Sequence, residues 1–107
     1  MPVEITSIEE YNSFLSKNPK CIIDFGATWC GPCKKIAPFF HSLEDKYPDI
    51  AFAKIDVDTP GLDEIVNKFA NDGIPIFVAF SDKQIIGELL GASEAKLTEL
   101  VNKLLTK

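Results

Sequence analysis

Apolar residues along this chain switch repeatedly between two spacings, and each switch marks an element. Val3 to Ile5 reads as a short strand. Ser7-Ile8-Glu9-Glu10 then has the form of a capping box, and Ile8, Tyr11, Phe14 and Leu15 follow at helical spacing until Asn18-Pro19. Cys21 to Ala27 is an apolar run suited to a central strand. From Lys34 the periodicity returns to helical with Ile36, Phe40, Leu43 and Tyr47, and Pro48 stops it. Pro38 lies inside that helix and predicts a kink, because it cannot donate to the carbonyl of Lys34. Ile50 to Val57 is the next strand, and Thr59-Pro60 predicts the start of a third helix burying Leu62, Ile65, Val66 and Phe69. Ile76 to Phe80 and Ile85 to Leu90 flank the polar turn Ser81-Asp82-Lys83-Gln84 and predict an antiparallel hairpin. A last helix from Ser93 should bury Leu97, Leu100, Val101, Leu104 and Leu105. The order βαβαβαββα predicts an α/β fold, a mixed sheet with helices on both faces. Sites in such sheets gather at the carboxyl ends of strands.

Length and composition narrow the function. With 107 residues, 46% of them hydrophobic, the chain is expected to form one domain over residues 1–107. The net charge is −5 and all 11 basic residues are Lys. Without Arg there is no planar fork for phosphate or guanine, so no nucleic-acid partner is expected. The longest uncharged apolar run, Ile74 to Phe80, is far below the roughly 20 residues a membrane span needs. Three cysteines make an odd count that argues against a secreted disulfide scaffold. Met1-Pro2-Val3-Glu4 shows no signal-peptide pattern, so a reducing compartment is expected.

Chemistry concentrates in Trp29-Cys30-Gly31-Pro32-Cys33, where a strand pattern gives way to a helical one. Residues i and i+3 at a helix start share a face, with Cα atoms roughly 5–6 Å apart, within disulfide range. A free thiol with a pKa of about 8.5 is only about 3% ionised at pH 7, and a helix N-terminus favours the reactive anion. Cys30, at the helix entrance, is expected to be the exposed nucleophile, and Cys33, one turn in, the shielded resolving thiol. Asp24 interrupts an apolar strand, where burial should raise its pKa and a nearby cation should lower it. Lys54 in the next parallel strand is the candidate cation. The pair either exchanges a proton with Cys33 or merely fixes strand register. Ile74-Pro75 opens a strong strand, and only about 5–6% of such bonds are cis, so the residues alone favour trans. Cys21, Cys30, Cys33 and His41 are all of zinc-ligand type, but His41 lies about 12 Å beyond Cys33 along one helix, so no metal site is expected. His41 is read as a solvated helix residue, Cys21 as inert core, and Asp56 and Asp58 as loop and capping residues.

The chain resembles the thioredoxin family. Matching residues are Asp24-Phe25, Ala27, Trp29-Cys30-Gly31-Pro32-Cys33-Lys34, Pro38, Lys54, Asp58, Ile74-Pro75 and Gly91-Ala92, in the family's order and spacing over nearly the whole chain. The resemblance implies a thioredoxin fold and reduction of protein disulfides, with Cys30 attacking, Cys33 releasing the target, and Asp24 and Lys54 assisting proton transfer. It implies a redox disulfide between Cys30 and Cys33 and a cis Pro75, with the Ile74 backbone pairing with the target. It also implies a flat contact surface of Trp29, Gly31, Pro32, Gly73, Ile74, Pro75, Gly91 and Ala92. Electrons would come from an NADPH-using, flavin-dependent thioredoxin reductase, so the chain itself would hold no cofactor, and it would be a cytoplasmic monomer. An oxidase or isomerase would usually carry His where Gly31-Pro32 stands, and a pure binding module would need neither the cysteines nor Asp24. Three positions depart from the family: Ile76 follows the proline where Thr is common, Asn71 replaces Ile or Val, and Asp82-Lys83 replaces the usual Asn-Gly turn.

Overall fold

The computed structural model describes residues 2–107. Among these, strands β1 (Val3–Glu4), β2 (Lys20–Gly26), β3 (Ala51–Asp56), β4 (Ile76–Ser81) and β5 (Gln84–Leu90) form one sheet in the order β1-β3-β2-β4-β5. The first three run parallel, whereas β4 is antiparallel to β2, and β5 to β4. Helices α1 (Ile8–Lys17), α2 (Gly31–Lys46), α3 (Asp63–Phe69) and α4 (Glu94–Leu105) cover both faces. This is the mixed five-stranded sheet between two helical layers that the resemblance implies.

Alternation along β2 sorts the core. Cys21, Ile23 and Phe25 point to a layer holding Phe14 of α1 and Ile65 and Phe69 of α3. Ile22 points to the opposite layer, with Ile36, Phe40 and Leu43 of α2 and Leu97, Leu100, Val101 and Leu104 of α4. Phe40 is the hub there, its ring 5.5 Å from Phe52 and 5.4 Å from Phe77. Each fully buried side chain of this size contributes roughly 1.5–3 kcal/mol. The same parity sends Asp24 and Gly26 towards α2, which is how a carboxyl comes to lie under the helix carrying the cysteines.

The helix ends explain both agreements and corrections. Ser7 Oγ accepts the Glu10 N–H at 3.1 Å, as a cap should. The Glu10 carboxylate does not return to Ser7 but accepts from the N–H and hydroxyl of Thr6, at 2.7 and 2.8 Å. Helix α3 begins at Asp63 rather than at Thr59-Pro60. Gly61 takes a left-handed φ of 87°, which breaks the helical path after Pro60 and leaves Leu62 to plug the core. Leu105 is not buried but 39% exposed, because α4 is in its last turn there. In the hairpin, Asp82 and Lys83 both take left-handed φ values, 51° and 70°, so a two-residue turn is closed without glycine.

Candidate active site

The loop after β2 delivers Cys30 to the start of α2. Cys30 is the N-cap of that helix, with Gly31 and Pro32 forming its first turn. Its Sγ accepts the Cys33 N–H at 3.2 Å and is also bonded to Cys33 Sγ, the two Cα atoms being 5.3 Å apart. Both i, i+3 arrangements follow from one fact: a cap residue and N3 face each other across the first turn. The expected difference in exposure is absent in this disulfide form. Cys30 is 6% exposed and Cys33 8%, because the Cys30 sulfur is turned inwards onto its partner.

Asp24 lies on the α2 side of β2 and pairs in register with Lys54 of β3. Among the described residues it is the buried charged side chain, and its Oδ1 has no hydrogen-bond partner among them. Burial pushes its carboxyl up to about 7, while the Lys54 charge pulls it down. A carboxyl there is shared between its protonated and ionised forms near neutral pH, so it can give or take a proton. Gly26, two residues on, sets the distance to the sulfur. A Cβ at that position would lie 3.2 Å from Cys33 Sγ and 3.8 Å from Asp24 Oδ1. The carboxyl and the resolving sulfur therefore flank one small space.

That space opens into a cleft of about 290 Å³ lined by Asp24, Gly26, Cys33, Lys34, His41 and Lys54, among others. His41 is thus no bystander on the solvent face. It is half-buried on the cleft side of α2, one turn beyond Ala37, which also lines the cleft. Cys21 is fully buried, and burial pushes its thiol up to about 12, so it is inert core as expected. Among the described residues no three His, Cys, Asp or Glu side chains gather as a metal site.

The other side of the disulfide is apolar. Trp29 is 67% exposed, and its indole N–H donates to Asp58 Oδ2 at 2.7 Å. Asp58 is itself oriented by its N–H to Asp56 Oδ1 at 2.9 Å, so these two acids position Trp29 rather than only capping a loop. Parallel pairing of β2 and β3 makes this contact across 29 residues, placing Gly26 opposite Asp56. The Ile74–Pro75 bond is cis, as the resemblance implies and contrary to the base rate. The Gly91 N–H donates to the Pro75 carbonyl at 2.8 Å, bringing Gly73-Ile74-Pro75 and Gly91-Ala92 together. Gly73 and Gly91 have φ values of 140° and 112°, which favour glycine. Leu90, which the sequence reading passed over, is 52% exposed beside them, its Cδ1 3.6 Å from where a Gly73 Cβ would be. Ile76 is buried in the core layer under Phe25, so this departure from the family changes packing rather than the surface.

Comparison with known proteins agrees with this geometry. The thioredoxin family model matches residues 2–103. The chain is 37% identical to thioredoxin 1 of Plasmodium falciparum over 99 residues, covering 92% of this chain and 93% of that one. It is 42% identical to human thioredoxin over 83 residues, 78% of this chain and 77% of the other. Its fold superimposes on the oxidised mitochondrial thioredoxin 3 of Saccharomyces cerevisiae with a TM-score of 0.84 at 36% identity, covering 96% and 95% of the two chains.

Proposed function

The chain belongs to the thioredoxin family and is a thiol–disulfide oxidoreductase, and we propose that it works as a reductase of protein disulfides through its Cys-Gly-Pro-Cys motif. The observation that carries this reading is the asymmetry around one bond. Cys30 caps a helix beside an exposed apolar surface, while Cys33 backs onto a buried carboxyl.

In the reduced protein, unpaired N–H groups at the start of α2 favour the Cys30 thiolate. A target segment settles on Trp29, Gly31, Pro32, Gly73, Ile74, Pro75, Gly91 and Ala92, with the Ile74 backbone pairing with it. The Cys30 thiolate attacks one target sulfur, forms a mixed disulfide and expels the other target thiolate. Cys33 then attacks Cys30 Sγ, the Cys30–target bond breaks, and the second target sulfur leaves reduced. Asp24, with its carboxyl near neutrality, accepts the Cys33 proton, and Lys54 tempers how tightly that proton is held. The positive end of α2 also supports negative charge as it passes between the two sulfurs.

Recycling falls to an NADPH-using, flavin-dependent thioredoxin reductase, so the chain carries no cofactor of its own and works as a cytoplasmic monomer, one domain over residues 1–107. The absence, among the described residues, of any helix long and apolar enough to cross a membrane is compatible with that setting. Cys30→Ser is expected to abolish insulin-disulfide reduction, and Cys33→Ser to accumulate mixed disulfides with insulin, read by non-reducing electrophoresis. Full activity of Cys30→Ser overturns the proposal.

A further inference from the structure

Pairing between β4 and β5 decides which face of the sheet each β5 side chain takes. Ile76, Val78 and Phe80 of β4 point into the layer under α1 and α3, and their register partners are Leu90, Glu88 and Ile85. Those three side chains therefore share one face. A bulge makes this so. Ile86 is the extra residue between Gly87 and Ile85 and packs in the α2–α4 layer, which returns Ile85 to the face of Leu90. Helix α3, only seven residues long, leaves this edge strand uncovered: Leu90 is 52% exposed, Ile85 is 44% exposed, and Glu88 between them is half-buried. The Glu88 carboxylate has neither a hydrogen-bond nor an ion-pair partner among the described residues. The stripe spans about 13 Å, four steps of β4 at roughly 3.3 Å each.

At its Leu90 end the stripe is continuous with the docking surface, since Leu90 lies against Gly73 and precedes Gly91-Ala92. We propose that the docking surface continues along β5 from Leu90 past Glu88 to Ile85, and that it selects disulfide targets carrying an extended segment in which apolar, basic and apolar residues alternate. This rests on the reductase role proposed above and names the class of its targets. An extended segment turns residues i, i+2 and i+4 to one side and covers about 13 Å over those four steps, the spacing of the stripe. Its two apolar side chains settle on Leu90 and Ile85, and the Lys or Arg between them meets Glu88. Partial withdrawal of Glu88 from water strengthens that pairing, and the net charge of −5 draws basic segments in from a distance. The pattern reads the same from either end, so it holds for either direction of the target chain. No bond is made or broken on the stripe; it acts on which targets reach Cys30.

The test uses synthetic peptides whose single cysteine is held as a mixed disulfide with thionitrobenzoate. A Gly-Ser linker joins that cysteine to Leu-Ser-Lys-Ser-Leu, to Leu-Ser-Glu-Ser-Leu, or to serines only. Pre-reduced protein is mixed with each peptide, and the release of coloured thionitrobenzoate gives the rate. Wild type is expected to react with the Lys peptide about fivefold faster than with the Glu peptide. Glu88→Gln should remove most of that preference, and Glu88→Lys should invert it. Ile85→Ser should lower the ratio of Lys-peptide to serine-peptide rates about threefold. Each ratio is internal to one variant, so partial loss of folded protein does not mimic the effect. Equal rates on the Lys and Glu peptides in wild type, or an undiminished preference in Glu88→Gln, overturns the proposal. Self-association of wild type that Ile85→Ser abolishes, read by analytical ultracentrifugation, gives the stripe to a second copy and also overturns it. If wild type reacts with the serine peptide faster than Cys30→Ser does but ignores the segment, only the extended surface fails. If wild type is no faster than Cys30→Ser on any peptide, the reductase assignment fails.

Discussion

The two sides of the Cys30–Cys33 bond differ in nearly every physical respect. On one side, Trp29, Leu90 and the glycines at 73 and 91 present apolar surface and open backbone to solvent. On the other, Asp24, Lys54 and His41 line a cleft behind Cys33 in which charged groups are set among apolar walls. An apolar, open surface recognises by area and shape, whereas a carboxyl withdrawn from water, as Asp24 is, holds its proton more tightly. The difference teaches that recognition and proton handling need not share residues in a site this small. Substitutions on one side should alter affinity, and those on the other the pH dependence.

The largest expected effect comes from Asp24→Asn. Burial raises this carboxyl from the ordinary 3.8 to about 7, so between those values the folded chain holds a proton that the unfolded chain has released. The favourable contribution is complete below about pH 4 and is lost as pH rises through about 7. Asp24→Asn is therefore expected to be more stable than wild type by about 3–4 kcal/mol at pH 8, and equal to it at pH 4, in urea unfolding. It should also slow release of reduced target and flatten the pH profile of that step. A target KM that rises instead would place Asp24 on the recognition side and break the comparison. Leu90→Glu should do the reverse, raising the KM for insulin about fivefold with an unchanged pH profile, since about half of a Leu side chain is available for contact. The smallest effect is expected from Asp58→Ala, which frees the Trp29 indole from an exposed hydrogen bond at a cost of about 0.5 kcal/mol. Time-resolved anisotropy of Trp29 should show the added motion, and an unchanged anisotropy would mean that Asp58 does not position the ring.

Much of this was legible along the chain because it depends on near neighbours. The cysteine spacing, the Ser7 cap and the apolar run of β2 are all local, and each appears in the structure. What stayed hidden depends on long-range placement or on competition between local signals. Trp29 and Asp58 meet only because β2 and β3 lie side by side. His41 reaches the cleft because Cys33, Ala37 and His41 recur at four-residue spacing along one face of α2, a helical period that the distance along the axis alone does not reveal. At Thr59-Pro60-Gly61 two signals conflict, and the left-handed glycine overrides the proline that would start a helix. The burial of Cys30 is not legible along the chain, because position at a helix entrance says nothing about where a bonded sulfur turns. Asp24 was visible as an anomaly in an apolar run, yet only the parity shared with Gly26 shows which face it serves.

That parity makes the site intolerant of insertions in β2. Adding or removing a single residue between Lys20 and Asp24 would exchange the two faces for the residues that follow. Phe25 would then lie beneath Cys33, and Asp24 would point among Phe14, Phe69 and Phe80. No cysteine would be altered, yet the proton store and the cleft would be gone together. The exposed turn at Asp82-Lys83 carries no such burden, since it lies at the end of the β4–β5 ladder away from Pro75 and Leu90. A peptide grafted into that turn should leave both sides of the disulfide intact, which makes it the natural point for extending this chain.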